Sequence, residues 1–142
     1  ATQAVALLDS KAFVLNPTDR ATRMLLAQSR VATKKAAQAK LAAGELALWL
    51  SQFPRDAQAW LVQASAYESL GDSLRGIRSQ AEARAVELDY GAAVDRFKAA
   101  QILAHQLANE GKLDAAGHME ASIIDARLRE LTRLRREQTL ER

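Results

Sequence analysis

Residues 92–108 read AAVDRFKAAQILAHQLA, and within them Ala93, Phe97, Ala100, Ala104 and Leu107 recur at alternate steps of four and three. That spacing gathers all five on one face of a 3.6-residue helix, an apolar stripe that must be buried against a neighbour. The stretch therefore predicts an amphipathic helix over 92–108 and an all-α fold around it.

Working outward, the next segments have the same character. Asn109-Glu110-Gly111 makes a turn, and a long final helix over 113–140 carries Ile124, Leu128 and Leu131 before it turns polar. A terminal element with a wet outer face is what a stack of helices needs where nothing packs beyond it, so 113–140 is expected to be a cap. Upstream, the Asp89-Tyr90-Gly91 break is preceded by a helix over 73–88. Gly71-Asp72 closes another over 57–70, with Trp60, Leu61, Ala64, Tyr67 and Leu70 as its stripe. Glycine there can adopt the left-handed conformation that ends a helix. Helices over 37–52, 20–34 and 2–15 complete the reading, the first of these with Ala42, Leu46, Trp49, Leu50 and Phe53 in its stripe. Asn16-Pro17 and Pro54 mark boundaries, because proline disfavours helical geometry in the residue before it and lacks an amide donor. The two prolines are 37 positions apart, each followed two residues later by an aspartate, Asp19 and Asp56, suited to cap the next helix.

The totals agree. The 142 residues fit one domain, and only two prolines and six glycines interrupt them. No run pairs β-branched alternation with a hairpin turn, so no strand is expected. No apolar stretch approaches the ~18–20 residues needed to cross a bilayer. The absence of an initiator Met or a leader suggests a piece of a longer protein. With no cysteine, disulfides, thiol catalysis and cysteine-bound zinc are excluded on this chain. The net charge of +3 lies wholly at the end: residues 1–126 hold 14 Lys and Arg against 14 Asp and Glu, and the last sixteen hold six Arg against three Glu.

Helix pairs recurring near every 34 residues, with small residues at crossings, an aromatic per helix and proline at a boundary, resemble the tetratricopeptide pattern. A frame from Ala57 sets Trp60, Ala64, Tyr67 and Gly71 at pattern positions; a frame from Leu74 sets Ala81, Ala93, Phe97 and Ala100 there. The frames differ by 17 residues, so the helix over 73–88 either closes one pair or opens the next. The resemblance implies a tetratricopeptide-like solenoid of about seven antiparallel helices.

The C-terminal half carries a closer resemblance. Asp56-Ala57-Gln58-Ala59-Trp60, Tyr67 to Asp72, Gln80-Ala81-Glu82-Ala83, Ala92-Ala93-Val94-Asp95-Arg96-Phe97 and Ile124-Asp125-Ala126-Arg127-Leu128-Arg129-Glu130-Leu131, in that order, resemble the repeat tail of the β-barrel assembly-enhancing proteases. Those are periplasmic zinc metalloproteases with a catalytic domain followed by tetratricopeptide repeats. The chain departs from that family in having Arg84-Ala85-Val86 where paired tyrosines often stand. The resemblance implies a module that recruits substrates or partners, including the outer-membrane β-barrel assembly machinery and its clients, for a zinc-bearing protease domain elsewhere in a periplasmic parent. A stand-alone tetratricopeptide scaffold or adaptor is the alternative.

The chemistry fits a binding role. A zinc protease needs two His four apart with Glu beside the first, whereas His105 and His118 are 13 residues apart. Asp114 and His118, one helical turn apart, are the nearest approach to a hydrolytic pair, and their bland reading as polar residues near a loop is preferred. No catalytic residue, metal ligand or cofactor is assigned to this chain. Arg127, Arg129, Arg133, Arg135 and Arg136 could meet phosphates, but Glu130, Glu137 and Glu141 interrupt them and few aromatics are free for stacking, so no nucleic acid is expected. Trp49, Trp60, Tyr67 and Phe97 are read as core. Candidate groove contacts are Gln28, Gln58, Ser65, Glu68, Arg75, Arg78 and Glu82. A basic stripe of Arg20, Arg23, Arg30 and Lys34, with no acidic residue between Arg20 and Gly44, is a further candidate surface for an acidic partner.

Overall fold

Four helices begin on an aspartate. In a computed structural model that describes residues 2–6 and 19–141, Asp19, Asp56, Asp89 and Asp114 accept hydrogen bonds from the amides of Ala21, Ala59, Ala92 and Gly117 at 3.2, 3.2, 3.1 and 2.7 Å. Each carboxylate satisfies an amide that the helix itself leaves without a partner, worth roughly 1 kcal/mol. These caps open α1 (Arg20–Ala32), α3 (Ala57–Ser69), α5 (Tyr90–Asn109) and α6 (Ala115–Leu140). Between them lie α2 (Ala36–Gln52) and α4 (Ser73–Val86). The described residues contain no strand, so the chain is all-α. Residues 2–6 are also helical; the rest of the helix expected over 2–15, and the break at Asn16-Pro17, lie outside the described residues.

The far ends of the helices explain where the expected boundaries shift. Gly71, Leu88 and Gly111 all take positive φ, at 73°, 63° and 68°. Each is followed by an amide that bonds back five residues: Asp72 to Tyr67, Asp89 to Arg84, and Lys112 to Leu107. This is the paired bond pattern of a Schellman stop. Leu88, not Gly91, is therefore the left-handed residue between α4 and α5. Asp89 then caps, and α5 starts at Tyr90 rather than at residue 92. Lys34, at φ 58°, likewise ends α1 before the expected residue 34.

The chain divides into two compact units, Ala1–Asp72 and Ser73–Arg142. In the first, α1, α2 and α3 pack on one another. Arg30 reaches Gln38 and Arg23 lies over Trp49, so α1 and α2 run antiparallel. Gln63 reaches Ala43 and Trp49 reaches Asp56, so α2 and α3 do too. The core comprises Met24, Ala27, Ala42, Ala43, Leu46, Leu50, Ala59, Val62 and Ala66, with Val31, Trp49, Trp60, Tyr67 and Leu70 at its edge. Two stripe residues are exposed instead. Phe53 is 49% exposed because α2 ends at Gln52, and Leu61 is 46% exposed because α3 turns Ala59, Val62, Gln63 and Ala66 inward instead.

In the second unit α4, the helix expected over 73–88, packs with the following helix α5, and α6 packs on both. Gln101 reaches Asp125, and Arg127 lies over Phe97, which makes α5 and α6 antiparallel. The stripe over 92–108 is buried as expected: Ala93, Phe97 and Ala100 have no exposed surface, Ala104 is buried, and Leu107 packs on the cluster. Ile124 and Leu131 of α6 join them, and Leu128 packs at the edge. Beyond Leu134, α6 is polar up to the exposed Leu140 at its end. There the Gln138 amide donates to the Leu88 carbonyl at 2.9 Å, holding the helix to the α4–α5 turn.

Candidate functional site

The turn after α2 has the sequence Phe53-Pro54-Arg55-Asp56, and three long side chains fix it in place. Trp49, on the last turn of α2, donates its indole hydrogen to Asp56 Oδ2 at 2.9 Å. Trp60, on the first turn of α3, donates to the Pro54 carbonyl at 2.8 Å. Arg20, at the start of α1, forks onto Asp56 with Nε to Oδ2 and Nη2 to Oδ1, both at 2.7 Å, and its Nη2 also reaches Gln58 Oε1 at 3.0 Å. Asp56 thus takes two donors on each oxygen, counting its helix cap. The Arg20 hydrogen bond above all, with those from Trp49 and Ala59, holds its pKa down from 3.8 to about 2.

An open groove of about 860 Å³ lies along this turn, bordered by Arg20, Trp49, Phe53, Pro54, Arg55 and Gln58 among others. The Trp49 and Phe53 rings pack at 4.4 Å between centroids and form an aromatic shelf. Arg55 is exposed and has no ion-pair partner among the described residues. Sequence reading placed Trp49 in the core and Phe53 in the same apolar stripe, and passed over Arg55. A proline turn marks a boundary in one dimension but gives no sign that residues 20, 49 and 60 will converge on it.

The basic stripe does not form a free surface. Arg20 is held by Asp56, and Arg30 is buried, donating to Gln38 at 2.7 Å and facing Glu45 at 3.4 Å. Arg23 lies 5.6 Å from the Trp49 ring centre. Lys34 is exposed beyond the end of α1. The helix carries no acid of its own next to these residues, so the partners come from α2 and the turn after it.

The candidate groove residues divide between the units. In the first, Gln28, Gln58, Ser65 and Glu68 are exposed; Gln58 borders the groove and accepts from Arg20, and Ser65 donates to the Leu61 carbonyl at 3.4 Å. In the second, Arg75 is half-buried on α4, while Arg78 and Glu82 belong to an ion cluster with α6. There Glu82, 6% exposed, meets Arg127 Nη2 at 2.7 Å and Arg78 at 3.5 Å. Arg78 also meets Glu120 at 3.2 Å, and Arg127 meets Glu130 at 2.8 Å. Burial works against the Arg127 charge, but the hydrogen bonds and charges of Glu82 and Glu130 outweigh it and raise its pKa. Glu82 therefore faces inward, and its partners lie within the fold.

Of the residues weighed for hydrolysis, Asp114 is the cap of α6, and His105 and His118 are exposed. Among the described residues no group of three His, Asp or Glu is placed to hold a metal ion. No helix among them is long and apolar enough to cross a membrane. No family model and no curated protein matches the chain.

Proposed function

We propose that this chain is a polypeptide-binding module of the tetratricopeptide type, acting by holding a segment of another protein. The observation that carries the reading is the groove along the 53–56 turn, which Arg20, Trp49 and Trp60 hold in place through hydrogen bonds to Asp56 and the Pro54 carbonyl. A surface fixed before binding costs less to order than a flexible one, so it can hold an extended segment with modest contact area. The Asp-capped, antiparallel helices with short turns support the repeat-type assignment.

The resemblance of residues 56–131 extends the proposal. The parent protein would carry a zinc metalloprotease domain and work in the periplasm, and this chain would recruit outer-membrane β-barrel assembly components or their clients to it. Titrating the purified chain with labelled peptides cut from β-barrel proteins, and from unrelated soluble proteins, tests the module reading. Saturable binding supports it, and no binding to either set refutes it. Metal analysis with a peptidase assay on the same chain tests the enzymatic rival, which bound zinc with turnover would favour.

A further inference from the structure

We infer that the groove along the 53–56 turn takes an acidic peptide segment that carries an aromatic side chain, a specificity that rests on the module reading above. The shelf offers the half-exposed ring of Phe53, backed by Trp49 and with Pro54 beside it, a surface against which another aromatic ring packs favourably. Both indole hydrogens are already donated, to Asp56 and to the Pro54 carbonyl, so the shelf offers apolar area rather than donors.

The charge of the rim selects the rest of the segment. Asp56 lies at the groove, but its two oxygens accept from Arg20, Trp49 and Ala59, so it has little left to give a cationic ligand. Arg20 balances it. Arg55 remains at the edge as a positive charge unmatched among the described residues. Residues 19–72 carry seven Lys and Arg against five Asp and Glu; three of those acids cap α1, face Arg30 or hold Arg20. A carboxylate next to the stacked ring meets Arg55, while a lysine there meets no acceptor of comparable strength.

The test is fluorescence anisotropy on the full chain with three labelled peptides that share one neutral flank: an Asp/Glu-flanked Phe, its Lys-flanked counterpart, and the acidic peptide with Phe replaced by Ser. The acidic aromatic peptide should bind at least about tenfold more tightly than either control, and more weakly as salt rises. Arg55→Glu and Phe53→Ser, both at exposed positions, should each weaken it by about five- to tenfold with an unchanged far-ultraviolet spectrum. On the unaltered chain, adding this peptide should shift the Trp49 indole proton resonance. Equal binding of the acidic and basic peptides, a still Trp49 resonance, or folded variants that bind undiminished would overturn the assignment. So would self-association of the chain that the same substitutions abolish. If peptides bind but ignore these substitutions, the module reading survives and this site fails. If no peptide binds, both fail.

Discussion

Arg20 and Asp56, 36 residues apart in sequence, meet through two hydrogen bonds of 2.7 Å. The same carboxylate caps α3 and accepts from Trp49, so one side chain ties the start of α1, the end of α2 and the start of α3.

The pH dependence of the first unit follows from that carboxylate. Its folded pKa is depressed from 3.8 to about 2, so its contribution to stability is complete above the ordinary carboxylate range and is lost as pH falls toward the lower value. Discounted for the exposure of Arg20, that contribution is about 1–2 kcal/mol. Asp56→Asn keeps a competent cap and should cost about that much at pH 7, with a flatter acid limb. Asp56→Ala loses the cap as well and should cost about 2–3 kcal/mol. Urea unfolding between pH 2 and 7, followed by tryptophan fluorescence, measures both.

Leu88 holds a left-handed conformation in a position that suits glycine, and 61% of it is exposed. Leu88→Gly should therefore stabilise the second unit, by about 0.5–1 kcal/mol after the added freedom of the unfolded chain is subtracted. Gly71→Ala and Gly111→Ala should each destabilise by about 1 kcal/mol through backbone strain alone, since an added methyl at either meets nothing within 4 Å. Thermal unfolding of the three variants reports the opposite signs.

Glu82 and Arg127, at 2.7 Å, form the shortest pair of the ion cluster between α4 and α6. Glu82→Ala leaves Arg127 over Phe97 with Glu130 alone and Arg78 with Glu120, and should cost about 1–3 kcal/mol, as two half-buried cations each lose one partner. Glu82→Ala with Arg127→Ala should cost less than the sum of the singles, with a coupling of about 1–3 kcal/mol. Additive costs in a double-mutant cycle would show that the two charges do not support each other.

Phe97 has no exposed surface and sits among the alanines of α5. Phe97→Ala should cost about 3–5 kcal/mol, and Phe97→Leu about 1–2 kcal/mol, because the surrounding helices can only partly close the space. Hydrogen exchange of the α4–α6 amides should rise accordingly.

Much of the fold was legible because its signals are local. The Asp19 and Asp56 caps and the Gly71 and Gly111 stops each need only a few consecutive residues. The 92–108 stripe has one regular period, and its buried face is the expected one. The misses are nonlocal. Leu61 was placed in a core stripe on spacing, yet the inward face of α3 includes Gln63, which is buried because its amide donates to the Ala43 carbonyl at 3.1 Å on the neighbouring helix. The stop at Leu88 was invisible because leucine carries no signal for a left-handed residue. The basic stripe looked free because the acids that meet it, Glu45 and Asp56, lie 15 and 36 residues downstream of their partners.

Both tryptophans of the protein anchor the 53–56 turn. Tryptophan emission thus reports from the first unit, whereas Ser73–Arg142 holds no tryptophan and a single tyrosine, Tyr90. Melting curves recorded by emission and by helical ellipticity follow different parts of the polypeptide, and any gap between them is a direct reading of whether the halves come apart together.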